Sequence, residues 1–271
     1  MSSWIANARM YAVTPDVESV WRRLLARIAE EADVALEYLQ YPAPQPLEQL
    51  WSQPDLGAVL MCGYPIALRL AHVQPIAAPI PRAQWAAGRA VYRTDLIVRE
   101  DAPFRQLEDT FDGRAGWTVA HSHSGFNAFR HHLLTYRTAQ RPTLYRQMVG
   151  NLVTARNVLD AVREGRIDVG PLDAYWHLLI ARHAPRLCEG VRVLCSTALA
   201  PMPSFVAAVD LPTAVVARLR GAFVGAAGKA WFGELADPLM LEGFAQVTRE
   251  TYDPALEWDG QARAAGYLEP A

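Results

Sequence analysis

Residues 115–130, AGWTVAHSHSGFNAFR, hold the most suggestive chemistry in the chain. An apolar run ends at Ala120, a short polar turn follows, and Phe126, Phe129, Leu133 and Tyr136 then mark a helix. A strand, turn and helix in this order aim backbone N–H groups and the positive end of the helix dipole at one point. Ser122 and Ser124 add hydroxyl donors there, and Gly125 lets a ligand approach the backbone closely. That is anion-binding chemistry. The plainer role of the same serines is to cap the helix.

Residues 165–177, GRIDVGPLDAYWH, read as a strand running into a helix, with Asp173 at the boundary. Ligands of open α/β sheets bind beyond the carboxyl ends of strands, which turns Asp173 toward the same place as Ser124. A helix N-cap is the simpler account of that aspartate. Tyr11 ends the first strand, Tyr64 follows the buried strand in the turn CGYP, and Tyr92 begins a crossover. Each suits half-buried packing, but together they offer aromatic walls and hydroxyl donors around a ligand.

Other chemistries find less support. His121, His123, His131 and His132 invite a metal, yet adjacent helical positions diverge by roughly 100°, so His131 and His132 do not chelate one ion easily. No HExxH or cysteine-pair motif is present, and no metal or other cofactor is expected. A serine hydrolase would carry GxSxG, whereas Ser124 sits in SxSG. Cys62, Cys188 and Cys195 are odd in number without paired spacing, and read as buried reduced thiols.

The elements that must position these residues follow from hydrophobic patterning. The chain has 271 residues, 51% hydrophobic and 20% charged, ample for a large core. A net charge of −2 with dispersed cations gives no footprint for nucleic acid. No run reaches the ~18 apolar residues of a membrane span. Strands are expected at 5–13, 34–39, 57–62, 73–80, 91–99, 115–120, 167–172, 191–195 and 204–209. Helices are expected from Pro15, over about 124–137 and 152–164, and from Ala174, with a mostly helical remainder after 209. Alternating strands and helices imply right-handed crossovers and parallel sheets. The residues after Met1 pass into a strand without the segments of a secretory leader, so the chain as written reads as cytoplasmic, or periplasmic if a leader was removed.

With these motifs in order, the sequence resembles the substrate-binding components of phosphate, phosphite and phosphonate ABC transporters. The resemblance runs through RMYAV, CGYP, YRTDLIVREDAPF, the Ser122-His123-Ser124-Gly125 turn, GRIDVGPLDAYWHLL, VRVLCST, PMPSF and EGFAQVTRETY. It implies an α/β, two-lobed periplasmic-binding-protein-like fold of type II. Each lobe is a mostly parallel sheet flanked by helices, and two crossover strands at about 91–99 and 191–206 join them. The lobes would be 1–92 plus 204–271, and 93–203, with a ligand cleft between them. The implied ligand site is Ser122, His123, Ser124 and the amides near Gly125, with Tyr11, Tyr64, Tyr92 and Asp173 around it. The implied partners are a small phosphorus oxyanion and an ABC transporter membrane subunit. The alternative is an enzyme of pyrimidine or thiamine-precursor metabolism on the same scaffold. Relatives often carry Thr or Gln where this chain has His123.

Overall fold

Thr14, Pro15 and Asp16 start a long helix as their types require. In the computed structural model, which describes residues 3–271, the Thr14 hydroxyl accepts from Val17 N at 3.3 Å. The helix Pro15–Ala32 buries Val17, Trp21, Leu24, Leu25 and Ile28, and ends at Asp33 in the left-handed conformation. The chain divides into two compact units. The first comprises the residues up to Tyr92 with Pro201–Asp253, and the second Arg93–Ala200 with Pro254–Ala271.

Among the described residues the first unit carries a six-stranded sheet. Its order is Leu241–Gln246, Val73–Pro81, Ser204–Ala208, Leu56–Met61, Trp4–Asn7, Leu36–Tyr38. Trp4–Asn7 pairs parallel with both its neighbours, and the other pairings are antiparallel. The sheet is therefore mixed, not mostly parallel. The reason is topological: Ser204 enters opposite Met61, at the end of its neighbour, so the re-entering strand must run backwards. The remainder after 209 is mostly helical, as expected, with helices Thr213–Gly225, Phe232–Ala236 and Asp253–Ala264, and it also supplies the edge strand Leu241–Gln246. Leu56–Met61 is buried along its whole length, as a continuous apolar run should be. Gly63, just after it, is a packing glycine, because a Cβ there would lie 2.3 Å from the Tyr252 ring.

The second unit holds the sheet Val191–Ser196, Thr94–Arg99, Gly170–Asp173, antiparallel throughout. Arg114–Gly116 and Gln147–Val149 form a parallel pair beside it, touching through the bridge Ala115 to Val169. The expected strand 115–120 stops at Gly116. Its continuation is diverted at Thr118, whose amide donates to the Gly125 carbonyl at 3.2 Å. Among the described residues, no helix is long and apolar enough to cross a membrane.

Residues 254–271 pack with the second unit, whereas the sequence reading placed 204–271 with the first. A buried charge explains the difference. The Arg130 side chain is 1% exposed and donates to the Asp259 carboxylate, to Leu268 O at 2.8 Å and to Asn127 Oδ1 at 2.9 Å. Asn127 Nδ2 in turn donates to Ala255 O at 2.8 Å.

Removing one partner of a buried ion pair leaves an uncompensated charge. Asp259→Ala is expected to lower the unfolding free energy by about 3–5 kcal/mol, read by chemical denaturation. A change under about 1 kcal/mol would mean that the carbonyls and Asn127 suffice for the guanidinium.

Candidate functional site

The polar turn is built by its own backbone. Ser122 caps it, accepting from Gly125 N at 3.0 Å. The next residues wind as a wide π-helical turn, His123–Asn127, in which Asn127 N donates to Ser122 O at 3.0 Å and Ala128 N to His123 O. An α-helix, Ala128–Leu134, continues it. Single π turns inside helices recur at functional sites, and the first amides of any helix lack carbonyls one turn earlier.

Thr94 fixes where this turn sits. Its hydroxyl donates to Ser124 O at 3.1 Å, its amide donates to Thr197 Oγ1 at 3.0 Å, and it lies opposite Asp173 across the sheet. Ser122, Ser124, Gly125 and Asp173 are thereby gathered at one end of the sheet. Thr94 and Thr197 escaped the sequence reading. The available signal was a hydroxyl heading the otherwise apolar run TDLIV.

Asp173 is a helix N-cap, accepting from Tyr175 N at 2.9 Å and Trp176 N at 3.0 Å. Burial, helped by the Asp173 charge, holds the Tyr175 hydroxyl well above its ordinary pKa. Gly125 packs its turn directly on Thr118: a Cβ would fall 2.0 Å from Thr118 Oγ1. The glycine is thus required by packing, whatever approaches from outside.

His123 does not stand beside the serines as a solvent-facing group. Its ring is 3% exposed and stacks on Trp258 at 5.2 Å, with Asn127 Nδ2 3.4 Å from Nδ1. Burial first, and then the charge of His131, lowers its pKa to about 3, so the ring is neutral. In this structure it is a packing residue of the second unit. Tyr11 lies in the helical turn Arg9–Tyr11 and Tyr64 in the short helix Gly63–Ala67, not at strand ends, because the first strand stops at Asn7 and the third at Met61. Tyr92 ends the strand Val91–Tyr92, and all three rings are buried in the first unit. Among the described residues, no group of three His, Cys, Asp or Glu side chains is arranged to hold a metal ion.

The other face of the strand Thr94–Arg99 carries a second polar array. Asp95 accepts from Ser196 Oγ at 2.8 Å, and its other oxygen lies 3.0 Å from His177 Nδ1. Burial works against the His177 charge, but hydrogen bonds to Asp95 and Cys188 outweigh it and raise the pKa to about 9.

A family model described as "ABC transporter, phosphonate, periplasmic substrate-binding protein" matches residues 12–252. No curated protein sequence matches the chain. Among solved structures, a binding protein component of an ABC phosphonate transporter from Pseudomonas aeruginosa aligns with TM-score 0.79 at 14% identity, covering 98% of this chain and 88% of its own. PhnD1 from Prochlorococcus marinus, in complex with methylphosphonate, aligns with TM-score 0.78 at 13% identity, covering 96% and 98%. A Xanthomonas citri protein bound to ATP aligns with TM-score 0.66 at 18% identity, covering 98% of each chain. These likenesses show the periplasmic-binding-protein fold.

Two expected outcomes follow from this geometry. Gly125→Ala is expected to destabilise by about 1–3 kcal/mol through overpacking, and Thr118→Ala in the same chain to recover part of the loss. Strict additivity in that double-mutant cycle would mean that the two residues do not meet. For His177, a folded pKa of about 9 stands above an unfolded value of about 6.5. Its stabilisation is therefore fully present below about pH 6.5 and is lost as the pH rises through about 9, amounting to roughly 3 kcal/mol. Unfolding free energies of wild type and His177→Gln should converge across that window.

Proposed function

We propose a binding function, and its premise is the family: the chain belongs to the phosphonate-binding periplasmic substrate-binding proteins of ABC transporters. It is a solute-binding component for a phosphorus oxyanion. Retention of the ligand, not turnover, is the reading, with an ABC transporter membrane subunit as the partner. The observation that carries the site is the hydrogen bond from Thr94 to Ser124 O, which joins the serine turn to the strand end bearing Asp173.

In this reading the anion's oxygens take the Ser124 hydroxyl and the first amides of the helix, where the helix dipole favours negative charge. Ser122 contributes as well. One lone pair of its oxygen already takes Gly125 N–H, and its own O–H is left to donate to the anion. Tyr11, Tyr64 and Tyr92 enter as first-unit candidates on the strength of the sequence. His123 enters only as the residue that steadies the turn.

Asp173 sets the ligand class. Two negative charges a few ångströms apart repel by several kcal/mol at an effective protein dielectric constant. The ligand must therefore bring an acidic O–H, as a phosphonate, phosphite or hydrogen phosphate does, or an ammonium, as an aminoalkylphosphonate does. Sulfate at neutral pH brings neither.

Calorimetry with methylphosphonate, phosphite, phosphate and sulfate tests this reading. Wild type should bind at least one phosphorus oxyanion well ahead of sulfate. Ser124→Ala should lose about tenfold or more in affinity, the worth of a hydrogen bond to a charged group. Asp173→Asn keeps an N-cap and so the fold, but should narrow the preference against sulfate. Equal wild-type affinities for sulfate and the phosphorus oxyanions would refute the role given to Asp173, and an unchanged Ser124→Ala would reduce that serine to packing.

A further inference from the structure

A strained backbone turn lies beside the serine turn in the second unit. Thr154 N donates to Leu152 O at 2.8 Å, and Val153, at the centre of this three-residue turn, has φ +68°. A positive φ marks the rarer, strained form of the γ-turn, and a β-branched side chain suits it least. Among the described residues, Asp33, Asp112 and Asn151 also take positive φ, but their types tolerate it, and Arg69, Ala87 and Met240 are unbranched at Cβ.

The surroundings over-determine this conformation. Val153 N donates to Thr118 O at 3.2 Å, Leu152 N to Trp117 O at 3.1 Å, and Asn157 Nδ2 to Leu152 O at 2.7 Å. Gly150 closes against the Trp117 ring, where a Cβ would come within 2.4 Å. Strain persists only where neighbours enforce it, and it collects at ligand sites. Packing does not offset it here, because Val153 is 42% exposed.

The two residues that hold the strained turn also hold the serine turn. Thr118 accepts from Val153 and donates its own amide to Gly125 O at 3.2 Å, while its side chain packs on Gly125. Trp117 accepts from Leu152, and its ring meets Phe126 edge to face at 5.0 Å. An exposed isopropyl group, stiff at χ1, is thus fixed one residue away from the backbone of Gly125.

We infer that Val153 is a specificity-determining residue: its side chain is the apolar wall against which the carbon substituent of an alkylphosphonate rests while the serine turn holds the oxygens. The inference rests on the phosphonate-binding reading and narrows it to ligands with a P–C bond. Phosphate would set its fourth oxygen against a group that offers no hydrogen bond, which disfavours it.

Calorimetry of the full chain with methylphosphonate and phosphate, for wild type, Val153→Gly and Val153→Thr, tests this. Wild type should favour methylphosphonate by about fourfold or more, the worth of one buried methyl group. Val153→Gly should melt about 2–4 °C higher, since glycine takes positive φ freely, yet lose most of that preference. Val153→Thr keeps the branching and offers a hydroxyl, so it should bring phosphate to parity or ahead. Wild type that binds methylphosphonate without preferring it to phosphate overturns the inference alone, as does a preference unchanged in both variants. Wild type that binds neither anion sinks the phosphonate-binding reading and the inference with it.

Discussion

A guanidinium stays ionised at any pH a protein meets, so a fold that buries one must find acceptors for its fork of donors. Arg130 is that group here. Its acceptors are Asn127, one turn earlier on the same helix, and Asp259 and the Leu268 carbonyl from the tail, while its charge lies over the Phe126 ring at 5.0 Å. The helix that carries the serine turn is thereby fastened to the C-terminal segment. Trp258 adds two stacking contacts to the same junction, with His123 and with His131 at 4.7 Å.

Much of the scaffold was legible because local physics decides it. Thr14 and Pro15 start a helix wherever an amphipathic run follows, and the continuous apolar run at 57–62 reads as an interior strand, which the structure has at Leu56–Met61. Asp173 could be placed at a helix start from its neighbours alone. Strand direction was not legible, since an apolar run reads the same in a parallel or an antiparallel ladder. Nor could the fate of His123 be seen, because the indole that covers it belongs to a distant helix. The assignment of the tail failed for a similar reason: the Arg130 to Asp259 pair spans 129 residues, and no pattern of hydrophobicity encodes a long-range ion pair.

Thr94 and Asp95 show how one strand serves two purposes. The threonine reaches the serine turn, and the aspartate on the opposite face organises His177, Ser196 and Arg93. Both sit at the point where the chain enters the second unit, which begins at Arg93. A substitution at either position acts through the backbone they share, so an effect on the serine turn from the His177 face is a matter of strand geometry, with no need for direct contact.

The sheet order of the first unit also bears on how the protein is made. The strand Val73–Pro81 has as its two neighbours Ser204–Ala208 and Leu241–Gln246. On the ribosome it emerges with both edges bare, and about 120 residues must follow before the first partner exists, a wait on the order of ten seconds at ordinary rates of synthesis. Through that interval the nascent chain carries an apolar strand with unsatisfied amides and carbonyls, the kind of edge that recruits the wrong partner. The sheet order thus makes residues 73–81 the segment of the first unit that most needs shielding during translation.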